Sequence, residues 1–144
     1  MKTLPTDSPE ALARVLAMVI VTDAELDPRE LDMLEELDAF DRIGLTREQF
    51  RATARQYCAE LGARMADDRP WLLLSDVMLI DEVLRPVQGA AQRLLVARLS
   101  AAIITADGRV RDIERLVFDH MLARWGLTRS AVSRAILADR RQVA

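Results

Sequence analysis

Four acidic side chains lie within eight residues of one another in the first quarter of the chain. They are Asp23, Glu25, Asp27 and Glu30. Clustered carboxylates, together with the backbone carbonyls at a helix end, are hard oxygen donors that suit Ca²⁺ or Mg²⁺. This turn is therefore a candidate divalent-cation site, and Ca²⁺ or Mg²⁺ is the only cofactor that the sequence suggests.

Part of this acidic pattern occurs a second time. Segment 21–30 aligns with segment 105–114, so that Asp107 and Glu114 correspond to Asp23 and Glu30. The Gly-Leu-Thr sequence at 44–46 also recurs, at 126–128. Each copy reads as an apolar helix, an Asp-containing turn, a second helix, Gly-Leu-Thr and a third helix. The sequence therefore predicts a duplicated helical unit, with repeats at about 11–66 and 91–138 within one domain spanning 1–144. Asp107 and Glu114 join the candidate metal ligands.

Helix capping explains some of these acids without a metal. Asp27 suits the N-cap, Pro28 the first helical position and Glu30 the third, which together form a capping box. The second copy has Arg111 where an N-cap acceptor would stand, yet it keeps Glu114. Capping therefore leaves the residues shared by the two copies only partly explained.

The spacing differs from that of an EF-hand. With Asp23 as the first position, Pro28 occupies the place of the required glycine and Leu34 that of the bidentate glutamate. A cation site would have to combine the turn with a carboxylate from elsewhere, for which Glu30 on the following helix is the candidate.

Apolar residues recur at helical spacing along nearly the whole chain. The first helix begins at Ser8, a good N-cap, followed by Pro9. Further apolar stripes lie within 31–40, 50–65, 91–103, 113–121 and 132–136, and a less regular segment predicts a helix at about 75–85. No run alternates convincingly with period two. The pattern therefore predicts an all-α fold.

The chain has one cysteine and one histidine, and both lie on apolar stripes. Cys58 shares its stripe with Ala54 and Leu61, which favours a buried structural thiol over a nucleophile. His120 follows Leu116 by one helical turn, which favours a ring packed at the edge of the core. Together with the lack of a Gly-rich phosphate loop, this predicts a protein that is not an enzyme; carboxylates abound, but nothing selects a pair for hydrolysis.

The formal net charge of −3 results from cancellation between two halves of opposite sign. Between Asp23 and Asp41 there are nine acids and one base, whereas arginines dominate 124–141. Such a dipolar distribution can attract a cation or a partner of matching charge, although two solvated helix faces would produce the same count. The overall acidity argues against nucleic-acid binding, and the longest apolar runs are too short for membrane insertion.

The doubled motif resembles the TerB-like domain of tellurite-resistance proteins, which also forms the central domain of DjlA-type co-chaperones. The resemblance rests on Thr22–Glu30 and Ala106–Glu114 and extends over roughly 12–132. It implies a pseudo-twofold bundle of about seven helices and a cation-binding surface formed by the aligned acids. It also implies a non-catalytic role in tellurite or stress resistance. Because Arg109 and Arg111 stand in the second copy, the first copy is the better candidate for binding.

Two functions remain open at this point. One is a TerB-like domain with an acidic cation-binding surface, and the other is a helical protein-interaction scaffold without a metal. In either case we expect a cytoplasmic, bacterial protein with another protein as its partner, present as a monomer or weak homodimer.

Overall fold

The structure, a computed structural model, describes residues 4–20, 28–64, 77–106 and 112–143. These residues form eight helices and no strand, which confirms the all-α prediction. The helices are α1 (Pro9–Ile20), α2 (Pro28–Glu36), α3 (Ala39–Ile43), α4 (Arg47–Arg64), α5 (Val77–Leu84), α6 (Ala90–Ala106), α7 (Asp112–Trp125) and α8 (Arg129–Val143).

Helix α1 forms the centre of the bundle. Every residue from Ala11 to Ile20 is buried, because α3, α4, α5, α6 and α7 all pack against it. A helix that is apolar on nearly all sides is stable in water only when it is enclosed in this way. Helix α6 is the second organising element, since it contacts α1, α2, α7 and α8.

The predicted second helix is interrupted. Asp38 adopts a left-handed conformation with φ of 55°, which ends α2 and separates it from the short α3. Aspartate tolerates this conformation better than most residues because its short polar side chain interacts with the local backbone. The described part of the chain therefore contains eight helices instead of about seven.

The two Gly-Leu-Thr segments have the same local structure. Gly44 and Gly126 are both left-handed, with φ of 87° and 68°, and each ends a helix. The leucine that follows each glycine donates its N–H to a carbonyl five residues earlier, at 2.9 Å: Leu45 to Phe40 and Leu127 to Leu122. This hydrogen bond is typical of the Schellman helix end. The pseudo-twofold relation of the whole halves stays a prediction.

The threonines of these segments cap the helices that follow. Thr46 Oγ1 accepts the Gln49 N–H at 3.1 Å, and the Gln49 side chain accepts the Thr46 N–H at 2.9 Å, which together form a capping box at the start of α4. Thr128 Oγ1 accepts the Ala131 N–H at 3.1 Å at the start of α8. Ser8 Oγ likewise accepts the Ala11 N–H, as predicted for the first helix.

Asp7, which precedes α1, forms hydrogen bonds with the backbone just before α6 begins. Asp7 Oδ1 accepts the N–H groups of Gln88 and Gly89 at 2.7 and 3.1 Å, and the Asp7 N–H donates to Pro86. The carboxylate thus satisfies donors that a helix end leaves without partners.

The predicted buried faces are partly wrong in α6 and α7. Leu116 was expected in the core but is 39% exposed, whereas Val117, Met121 and Leu122 are buried. In α6, Ala91 is exposed while the next turn, at Val96 and Ala97, is buried. These two helices have neighbours on more than one side, so a single apolar stripe does not define the buried face.

No helix in the described ranges combines the length and apolar character that crossing a membrane would require.

Candidate functional site

Most of the predicted cation site falls outside the described residues. Four of its six candidate ligands do so: Asp23, Glu25, Asp27 and Asp107. The metal hypothesis for these positions therefore stays a prediction. Within the described ranges, no three His, Cys, Asp or Glu side chains come together in a way that could hold a metal ion.

The other two candidate ligands occupy equivalent places in their helices. Glu30 is the third residue of α2, and Glu114 is the third residue of α7. Glu30 is half-buried. An acid in the first turn is also what the helix dipole favours, so this position is compatible with capping as well as with a ligand role.

The exposed acids of α2 are partly neutralised by α4. Arg47 forms ion pairs with Asp32 at 2.9 Å and with Glu35 at 2.6 Å. Hydrogen bonds with Asp32 and Glu35 raise the pKa of Arg47, so the guanidinium stays charged. The acidic excess counted in the sequence thus overstates the charge that this surface offers to a ligand.

The feature of the described surface that is best suited to binding is a cleft between α6, α7 and α8, which we name the α8 cleft. Its volume is about 280 Å³. Four buried or half-buried apolar residues and four exposed polar residues form it. The apolar ones are Ala101, Ile104, Phe118 and Val132; the polar ones are Thr105, Arg115, Arg129 and Ser133.

The two arginines give the α8 cleft a positive rim. Arg129 begins α8, and its guanidinium binds Asp119 at 2.6 Å on α7. Arg115 on α7 is exposed and forms no ion pair or hydrogen bond within the described residues. A guanidinium presents several N–H donors in one plane, a geometry that matches carboxylates. The cleft therefore combines apolar walls with donors for an acidic group.

A second cleft, of about 360 Å³, lies where α6 begins. Its lining includes Asp7, Arg42, Gln92 and Arg98. Asp7 already binds the backbone at the start of α6. This side chain therefore serves the fold, and we do not assign a binding role to the second cleft.

His120 pairs with Asp81, a contact that the sequence did not indicate. The ring Nε2 lies 2.8 Å from Asp81 Oδ1, and Arg124 Nε lies 3.8 Å from the same oxygen. His120 is half-buried, as expected for the edge of the core, and the pair connects α5 with α7. Cys58 is also half-buried and packs against the core.

The α8 cleft was not predicted as a site from the sequence. The one available signal was the excess of arginines in 124–141, which includes Arg129. The apolar walls come from three consecutive helices, and no local sequence pattern reveals how these helices pack together.

Comparisons with protein-family models, with curated proteins and with solved structures gave no significant match. The resemblance to TerB-like domains therefore rests on the repeated motif in this sequence.

Proposed function

We propose that this chain is a non-enzymatic helical domain that binds a partner protein through the α8 cleft. The observation that carries the proposal is the combination of apolar walls and exposed arginines in one concave surface. Concave sites lined by apolar side chains with a few polar groups are the usual form of small-molecule sites, and the side chains that dominate protein–protein binding also fill pockets on their partner.

The composition of the cleft supports a binding role in two ways. Ala101 and Phe118, which are both half-buried, offer apolar surface that a partner side chain would cover, and burial of apolar area is the main favourable term in association. Arg115 and Arg129 lie at the exposed edge, where charged groups contribute to orientation and to the rate of encounter. Arginine is also enriched among the residues that dominate interface energies.

The proposal is tested by selecting peptides from a random display library on the immobilised full chain. Ser133→Trp places a large side chain at the cleft, and Ser130→Trp is the matched control, because Ser130 is exposed on the same helix and does not line the cleft. The proposal predicts enriched peptides that bind the wild type and Ser130→Trp but not Ser133→Trp. Peptides that bind all three chains equally, or no enrichment at all, would contradict it.

A second candidate function is the binding of a divalent cation by a TerB-like domain active in tellurite or stress resistance. The equivalent places of Glu30 and Glu114, each third in its helix, favour it. The test is calorimetric titration with Ca²⁺ and Mg²⁺, using the wild type and the double variant Asp23→Ala/Glu30→Ala. This candidate predicts binding at millimolar or lower concentration that the double variant loses. Absence of heat from the wild type would overturn it, whereas binding that persists in the variant would overturn only the ligand assignment.

A further inference from the structure

We infer that the occupant of the α8 cleft is an acidic segment of the partner protein, with an apolar side chain against Ala101 and Phe118 and carboxylates at Arg115 and Arg129. This inference rests on the proposed function and adds the chemistry of the partner to it. It follows from the sign and placement of the charges around an apolar centre.

Both cationic groups are available from the solvent side. Arg115 and Arg129 are exposed, and they approach the cleft from different helices. A carboxylate next to an apolar residue of the partner would therefore meet a guanidinium at the rim of the cleft. A basic segment would instead place like charges together, which disfavours binding.

Asp119 competes with such a segment. Its carboxylate holds Arg129 at 2.6 Å and is itself partly exposed, so a partner carboxylate must share or replace this contact. Removing the charge of Asp119 would free Arg129 for the partner. A change in Asp119 should therefore strengthen binding, a result that simple damage to the surface would not produce.

The volume of the cleft fits this kind of occupant. A volume of about 280 Å³ lies just below the range of about 300–1,000 Å³ that is usual for small-molecule sites, which suits one or two side chains of a larger partner. The remaining contacts would come from the polar rim, where Thr105 and Ser133 have hydroxyl groups.

The test uses the cleft-dependent peptides from the selection above, labelled and titrated with the full chain by fluorescence anisotropy. We expect these peptides to carry net negative charge, with Leu, Ile or Phe beside Asp or Glu. The double variant Arg115→Glu/Arg129→Glu should bind them about tenfold more weakly, and Asp119→Asn about twofold more tightly. Higher salt should weaken wild-type binding, because exposed charges are screened.

A matched control distinguishes the effect of charge reversal at the cleft from the effect of the same change in net charge elsewhere. The double variant Arg51→Glu/Arg55→Glu makes the same change in net charge on exposed positions of α4, away from the cleft, and should leave the affinity within about twofold. Glutamate at 129 suits the first turn of α8, so the reversal there should not unfold the helix. Circular dichroism verifies that each variant is folded.

The outcomes distinguish the inference from the proposed function. The inference would be overturned if the cleft-dependent peptides were neutral or basic, or if they bound Arg115→Glu/Arg129→Glu as tightly as the wild type. Either result would leave the binding function in place. If no peptide depends on the cleft, the proposed function fails and the inference fails with it.

Discussion

Arg14, in the middle of the buried helix α1, forms an ion pair with Glu60 of α4 at 2.7 Å. The Arg14 side chain is only 4% exposed, and that of Glu60 is 25% exposed. A buried guanidinium requires a counter-charge, because transfer of an uncompensated charge out of water is costly. This pair therefore allows a charged residue to occupy the central helix of the bundle.

We predict that Glu60→Gln destabilises the fold by about 2 kcal/mol, between the values for exposed and for fully buried pairs. The loss arises because Arg14 keeps its charge without a partner. The double variant Arg14→Met/Glu60→Gln should recover most of the loss, since it removes both charges. Urea unfolding gives the free energy of unfolding of the wild type, Glu60→Gln and the double variant. A double variant less stable than Glu60→Gln would contradict this role of the pair.

Acid should weaken the fold partly through Glu60. The hydrogen bond from Arg14 lowers the pKa of Glu60 below its ordinary value of 4.5. A lowered pKa in the folded state means that the carboxylate stabilises the fold above about pH 4.5 and that this contribution is lost as the pH falls through the folded value. The free energy of unfolding of Glu60→Gln should therefore depend less on pH in this acid range. If the free energy of unfolding fell equally with pH in the wild type and in Glu60→Gln, Glu60 would not contribute to the acid sensitivity.

Tyr57 is the single tyrosine, and it is fully buried, without a hydrogen bond to its hydroxyl from the described residues. Because a buried hydroxyl without a partner has lost its hydrogen bonds to water, Tyr57→Phe should be neutral or stabilising, within about 1 kcal/mol. Burial also raises the pKa of Tyr57 well above its ordinary value of 10.0. The wild type should therefore lose stability above about pH 10, as the unfolded chain ionises, and Tyr57→Phe should lose less. A loss well above 1 kcal/mol at neutral pH would show that the hydroxyl has a partner.

The two glycine helix ends should respond alike to substitution. Gly44→Ala and Gly126→Ala each place a Cβ at a positive φ, which costs about 1 kcal/mol. A Cβ at Gly126 meets no atom within 4 Å, so its cost is conformational, whereas a Cβ at Gly44 approaches Pro9 at 3.4 Å. Thermal unfolding should therefore show that Gly44→Ala lowers stability as much as Gly126→Ala, or slightly more. A neutral Gly126→Ala would contradict the left-handed helix end.

The contact of Asp7 with the start of α6 should also be measurable. Asp7→Ala removes the acceptor for the Gln88 and Gly89 N–H groups and should cost about 1 kcal/mol, as the loss of a helix cap does. Asp7→Asn keeps an acceptor and tolerates the positive φ of 56°, so it should cost less. Equal losses in the two variants would show that the charge, and not the hydrogen bonds, matters here.

The sequence predicted the local structure well where one side chain determines it. Ser8 caps the first helix and both Gly-Leu-Thr segments separate two helices, as predicted, because these features depend on residues within about one turn. The break at Asp38 was missed, since aspartate also occurs within helices and no glycine or proline marks the position.

The candidate sites were harder to predict, because they depend on contacts between distant residues. Asp81 and His120 are 39 residues apart, and Arg14 and Glu60 are 46 apart. Arg14 stands inside the apolar run of α1, but its position in the sequence does not reveal that Glu60 is its partner. The walls of the α8 cleft likewise come from three helices, and the exposure of Leu116 shows that spacing alone misplaces residues on α7.

Binding at the α8 cleft is tested most directly by the dissociation constant of a selected peptide for three chains: the wild type, Ser130→Trp and Ser133→Trp. Fluorescence anisotropy on the folded, full-length chains provides it. We predict equal affinity for the wild type and Ser130→Trp, and at least tenfold weaker binding to Ser133→Trp. Equal dissociation constants for all three chains would contradict a binding role for the cleft.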